Sequence, residues 1–232
     1  MSNVRIHRSP LSRAERAAID WILPRLPEWV TADKLTAFGT FGAFLTLVGY
    51  SATNWHVGWL WLANLGVLIH WFGDSLDGNV ARYRKMERPQ YGYFLDQTID
   101  VLGNFLICFG MGLSPFVDMR AALCALAGYH MVSIYVFVRA NIDREFHVTV
   151  LNFGPTEMRA VIVLMNLCIL VLGVWNFTIL GYTISWPSLS VGLWAMGFMI
   201  AFIYLISKYA PILRDADDRT RVEAREKNAA SP

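Results

Sequence analysis

The sequence predicts an all-α, polytopic membrane protein: six transmembrane helices preceded by an amphipathic helix at the membrane interface. Three observations carry this expectation. Of the 232 residues, 55% are hydrophobic and 14% aromatic. Only 16% are charged, against about a quarter in an ordinary soluble domain. The apolar residues also arrive in blocks near the roughly 20 residues that cross a bilayer as a helix. A formal charge of +2 makes no case for a nucleic-acid partner. Cys108, Cys124 and Cys168 lie inside apolar stretches without metal-like spacing, so they read as small core residues and not as a disulfide framework. The polar, basic N-terminus shows no cleavable signal segment.

Taken in order, the first element is the period over Leu11–Leu23. Leu11, Ala14, Ala18, Trp21 and Ile22 share one face; Ser12, Arg13, Arg16 and Asp20 share the other. Glu15 sits beside the apolar stripe and weakens the pattern, and Pro24 stops it. Six spans follow, near Leu35–Ala52, Val57–Phe72, Phe94–Leu113, Ala121–Val138, Met158–Trp175 and Leu189–Tyr209. Beyond Pro211 the charged tail is expected to fray. This divides the chain into an N-terminal segment 1–34, a transmembrane catalytic domain 35–210 and a tail 211–232. Every Lys and Arg except Arg120 falls at the termini, in the second and fourth connections, or at their edges, as Arg159 and Lys208 do. The positive-inside rule therefore places both termini and those loops in the cytoplasm.

The stretch Gly73–Asp100 carries the chemistry. Asp74 and Asp77 are three residues apart and share a helical face with the small residues Gly78 and Ala81. Asp96 and Asp100 are four apart on the next helix, with Gly92 a turn before and Asn104 a turn after. Two neighbouring helices thus aim four carboxylates at one point near the cytoplasmic membrane surface. Unpaired, they would repel one another and be costly to desolvate. Divalent cations would relieve that cost, because hard ions take carboxylate oxygens and keep places for phosphate. Two of them could bridge a pyrophosphate and stabilise a leaving oxygen. A solvated loop, or acids paired with Arg82 and its neighbours, would explain Asp74 alone. It does not explain the i,i+3 and i,i+4 spacing with small residues on the same stripes.

At these residues the chain resembles the CDP-alcohol phosphotransferase family. Asp74, Asp77, Gly78, Ala81, Arg82, Gly92, Asp96 and Asp100 match all eight fixed positions of its signature. Nine residues separate Arg82 from Gly92 where the family usually has eight; the extra one lies in a polar loop containing Pro89. The resemblance implies a six-helix membrane enzyme, a homodimer, acting on CDP-alcohol and lipid substrates. It implies two divalent cations, Mg²⁺ or Mn²⁺, held by Asp74, Asp77, Asp96 and Asp100, with Asp100 also proposed as a base. It places the CDP moiety on Asp74, Gly78, Ala81, Arg82 and Gly92. A further family element before the first span survives here only as Thr36, which puts a nucleotide role for Asp33 in doubt. The short chain looks like a minimal bacterial relative, in the cytoplasmic membrane with its site facing the cytoplasm.

One branch of the family moves phosphoethanolamine or phosphocholine from a CDP-alcohol to a lipid hydroxyl such as diacylglycerol, releasing CMP. Asn152–Glu157 is similar to the loop of that branch ending in Thr-Glu, which makes Glu157 a candidate general base. Helix capping alone would also account for Gly154-Pro155-Thr156-Glu157. The other branch uses CDP-diacylglycerol with glycerol phosphate or an inositol compound. Arg139, Arg144 and Arg159 would favour it if they formed a phosphate pocket. We expect the first branch and keep the second as the alternative. A cation transporter is the alternative of another class, disfavoured because the acids cluster at one end of the spans.

Overall fold

The computed structural model describes residues 10–143, 154–179 and 181–229. Its helices are α1 (Pro10–Ile22), α2 (Ala32–Ala52), α3 (Leu60–Tyr83), α4 (Pro89–Leu113), α5 (Met119–Asp143), α6 (Pro155–Leu172) and α7 (Trp186–Ala229). A two-stranded antiparallel hairpin, β1 (Asn176–Ile179) and β2 (Tyr182–Ser185), joins α6 to α7. Five helices, α2 and α4 to α7, are long and apolar enough to cross a membrane. Only 6% of the most apolar stretch of α7 is buried inside the protein. An apolar helix that hides so little of itself is one whose solvent is lipid. The chain is an integral membrane protein.

Helix α3 has the length to cross, 24 residues, but spends its second half on polar chemistry. It is held against α2 by small residues. A Cβ on Gly73 would stand 2.5 Å from the Gly39 Cα. One on Gly42 would collide with the backbone amide of His70, and one on Gly66 with Thr46. Removing these side chains lets two backbones touch, the usual way apolar helices associate where no hydrophobic effect separates helix from lipid. The core behind this contact is Ala43, Tyr50, Leu60, Ala63, Val67, Ile107, Met111, Ala122, Ile162, Met165 and Val191. A polar thread crosses it. The Tyr50 hydroxyl donates to Asn166 Oδ1 at 2.8 Å, and Asn166 Nδ2 donates to Asn64 Oδ1 at 2.8 Å. These bonds register α2, α3 and α6 against one another.

Several expectations are corrected here. The second span starts later than Val57 and runs past Phe72: residues Val57–Trp59 form a 3₁₀ turn and α3 continues to Tyr83. The tail does not fray at Pro211. Its missing N–H costs one hydrogen bond, yet α7 carries it and runs to Ala229. Cys124 is exposed and not a core residue; all three cysteines are free. The hairpin stands where no element is expected, although Phe177–Ile179 and Tyr182–Ile184 around Gly181 carry a β-branched and aromatic signature. Gly181 takes the positive φ of 83° that the connection requires.

The packed face of α1 is rotated from the expected one. Ile19 is buried and Ile22 half-buried, against Leu35, Leu76 and Val80. Ala14 and Trp21 are exposed. The face turned inward therefore runs Glu15, Ile19, Ile22, with the acid on it. Downstream, the Arg84 guanidinium donates to the carbonyls of Leu26, Pro27, Glu28 and Val30. One side chain thus satisfies much of the backbone between α1 and α2.

Candidate active site

The Arg84–Arg88 turn sets α4 beside the last turns of α3. Lys85 takes a positive φ of 55° and Pro89 occupies the first turn of α4. The additional residue of this connection is therefore taken up in the turn, and both acid stripes remain helical. Oxygens of Asp74, Asp96 and Asp100 all lie within 4.8 Å of one another. Helical spacing accounts for it: Asp96 and Asp100 stack at i,i+4, and Asp74 faces them from α3. Gln97 Nε2 donates to Asp96 Oδ2 at 2.8 Å.

Asp77 lies one turn beyond Asp74, 8% exposed and outside that close trio. Its carboxylate accepts from the Thr36 hydroxyl at 2.7 Å and from its neighbour's amide, Gly78 N–H. Thr36, the retained member of the element before the first span, is thus the α2 contribution to the acid stripe. Asp33 is instead on the surface, paired with Arg88 at 2.7 Å. Ala81 and Gly78 are half-buried, while Gly92 and Arg82 are exposed. A Cβ at Gly78 would first meet the Arg82 guanidinium, at 3.5 Å, and one at Gly92 would meet nothing within 4 Å. Arg82 also donates to Asn79 Oδ1 at 3.1 Å.

Across from the trio, α6 supplies a buried cation. Arg159 is 9% exposed and its Nη2 lies 2.6 Å from Asp74 Oδ2. The same nitrogen is 3.4 Å from His70 Nε2, and His70 Nδ1 is 3.2 Å from the Gly39 carbonyl. The consistent reading is a neutral imidazole: Nδ1–H donates to Gly39, and Nε2 accepts from Arg159. His70 is packed in place by Gly103 of α4, where a Cβ would come 2.8 Å from the ring. Sequence reasoning missed His70, although it stands four residues before Asp74 and shares its stripe. Arg159 is named there beside Arg139 and Arg144 as a candidate phosphate pocket, and not as a partner of Asp74. Of its companions, Arg139 stacks on Tyr209, 4.7 Å from the ring centre, and Arg144 lies outside the described residues.

The Thr-Glu pair has structural occupations. Glu157 Oε2 accepts from Gly154 N–H at 2.9 Å, closing the start of α6. The Thr156 hydroxyl donates to Glu15 of α1 at 2.9 Å. Glu157 does not belong to the trio of close carboxylates. Asn152 and Phe153 lie outside the described residues.

The donor set fits divalent cations. Three carboxylates with mutually close oxygens are hard ligands of the kind Mg²⁺ and Mn²⁺ accept. The buried Arg159 guanidinium stands beside them, paired with Asp74.

Residues 26–206 match the CDP-alcohol phosphatidyltransferase family, and the chain belongs to it. Among curated relatives, a phosphatidylinositol phosphate synthase of Cutibacterium acnes is 38% identical over 48% of this chain and 54% of its own length. An archaetidylinositol phosphate synthase of Methanothermobacter thermautotrophicus is 36% identical over 54% of this chain and 60% of its own. Cholinephosphotransferase 1 of Danio rerio is 31% identical over 46% of this chain and 32% of its own. The chain thus spans a little over half the length of the first two relatives it matches.

Proposed function

We propose that this chain moves a lipid phosphate from a CDP-lipid of the CDP-diacylglycerol type to the hydroxyl of an inositol phosphate, releasing CMP. The observation that carries this is Arg159, a buried guanidinium held by His70 against the carboxylate trio. A phosphate-bearing acceptor needs a fixed cation beside the reacting centre, and guanidinium matches phosphate in a bidentate manner. A diacylglycerol acceptor has no charge to meet it. The inositol phosphate synthases among the relatives support the same branch.

In this reading Asp74, Asp96 and Asp100 hold the divalent cations, with Asp77 as the fourth carboxylate. The cations, when bound, neutralise and polarise the pyrophosphate. Gly78, Ala81 and Gly92 let the nucleotide approach the backbone, and Arg82 takes a phosphate oxygen. The acceptor hydroxyl attacks the lipid-bearing phosphorus, and its proton passes to a carboxylate oxygen of Asp100. The bond from that phosphorus to the bridging oxygen breaks, and CMP takes the electron pair. Glu157 keeps its place as an N-terminal cap. The site opens to the cytoplasm, residues 35–210 form the catalytic domain, and the enzyme is a homodimer in a bacterial cytoplasmic membrane.

The second reading is transfer of phosphocholine or phosphoethanolamine to diacylglycerol, with Glu157 as base. The cholinephosphotransferase relative and the Thr156-Glu157 pair favour it. Purified protein supplied with labelled CDP-diacylglycerol plus inositol phosphate should release CMP. CDP-choline or CDP-ethanolamine plus diacylglycerol should not. The reverse pattern overturns the proposal.

A further inference from the structure

The reaction proposed above makes no use of the N-terminal helix. Yet Glu15, in the middle of α1, accepts three hydrogen bonds from two other helices. Its Oε1 takes Trp71 Nε1–H at 3.1 Å and the Ser75 hydroxyl at 2.7 Å, both from α3. Its Oε2 takes the Thr156 hydroxyl at 2.9 Å, from α6. Each helix is gripped beside the site: Ser75 follows Asp74, and Thr156 stands three residues before Arg159.

A half-buried carboxylate on the inward stripe of an amphipathic helix is costly unless its oxygens are satisfied. Here Ile19 and Ile22 already supply the apolar packing onto α3. An apolar residue at position 15 would have extended that packing without desolvating a charge. The acid adds something Ile19 and Ile22 do not: charge-assisted bonds, roughly twice as strong as neutral ones, that fix direction as well as distance. Because the two oxygens face different helices, the carboxylate is a bridge from α3 to α6. The Arg159–Asp74 pair spans the same two helices nearby.

We infer that Glu15 is a positioning residue, a bridge from the interfacial helix that sets how Arg159 of α6 stands against Asp74 of α3. The bridge itself is independent of the reaction. Its consequence for the acceptor phosphate rests on the function proposed above.

The test compares wild type, Glu15→Ala and Glu15→Gln as full-length protein in nanodiscs. Hydrogen exchange is read over residues 10–22 and 155–160, and steady-state kinetics with CDP-diacylglycerol and inositol phosphate. In Glu15→Ala, exchange in both segments should quicken. The inositol phosphate KM should rise about tenfold, the order of a lost hydrogen bond to a charged group. The KM for CDP-diacylglycerol should stay within about twofold of wild type, a change too small to be a lost contact of that kind. Glu15→Gln keeps one acceptor oxygen and gains an amide N–H that the Thr156 hydroxyl can accept, so it should recover part of the exchange protection and of the KM. Unchanged exchange over 155–160 overturns the bridge. Faster exchange with both KM values unchanged and only kcat reduced also overturns the positioning role, because loss of folded protein does the same. If wild type turns over no inositol phosphate, the proposed function fails. The bridge is then judged on exchange and its recovery in Glu15→Gln alone.

Discussion

The Thr36 hydroxyl of α2 holds the Asp77 carboxylate from a different helix. Thr36→Val preserves shape and removes that donor. Partners of this kind typically cost about 10–100-fold in metal affinity or activity when removed. We expect such a loss in CMP release, recovered in part by Thr36→Ser. Glu157 tests the opposite case. Its carboxylate closes the first turn of α6 through Gly154 N–H, and Glu157→Gln keeps an oxygen able to do so. The change should cost roughly a few tenths of a kcal/mol, with turnover within about threefold of wild type, under about 1 kcal/mol of barrier. A fall of roughly 10²–10⁴-fold would mark Glu157 as a general base and favour the aminoalcohol branch. The residue types at the acid stripe were legible because Asp74, Asp77, Asp96 and Asp100 obey helical spacing. Their individual partners were not, since nothing in the chain near Asp77 announces Thr36.

At the scale of elements, the close contact of α2 with α3 decides where the acids stand. Gly73 precedes Asp74 and lies against the Gly39 backbone, where a Cβ has no room. Gly73→Ala should therefore destabilise the protein by about 1–3 kcal/mol, the usual cost of overpacking. Thermal unfolding in detergent checks this. Gly197→Ala on α7 is the control, since a Cβ there meets nothing within 4 Å. It should leave the midpoint unchanged or raise it, alanine being favoured over glycine in helices by up to ~1 kcal/mol. The existence of these helices followed from apolar blocks of the right length. Their ends did not, because the polar second half of α3 and the charged end of α7 are helical for reasons that hydropathy does not register. The face of α1 was misplaced for a related reason. A pattern of apolar residues counts Glu15 as an interruption, whereas three donors make it part of the packed side.

For the whole molecule, convergence of the carboxylates implies that turnover depends on divalent cations. Excess chelator should abolish CMP release, and Mg²⁺ or Mn²⁺ should restore it; full activity in chelator would remove the metals from the proposal. The side of the membrane is equally open to measurement. By the positive-inside rule, Arg82, Arg84, Lys85 and Arg88 predict a cytoplasmic α3–α4 turn. A cysteine placed by Glu87→Cys, in a background lacking Cys124, should stay unlabelled by an impermeant reagent in intact cells and react once they are broken. The sequence by itself determined the membrane class, the approximate spans, the acid stripes and the family they resemble. The first three are written in local periodicity and composition, where neighbours along the chain are neighbours on a helix; the resemblance rests on the eight signature residues from Asp74 to Asp100. Only the tertiary structure decided that Arg159 and His70, 89 residues apart, meet beside Asp74. It alone brought Glu15 to Thr156 across 141 residues. Such meetings depend on how helices cross, and that is set by glycine contacts and buried polar threads whose partners lie far away in the chain.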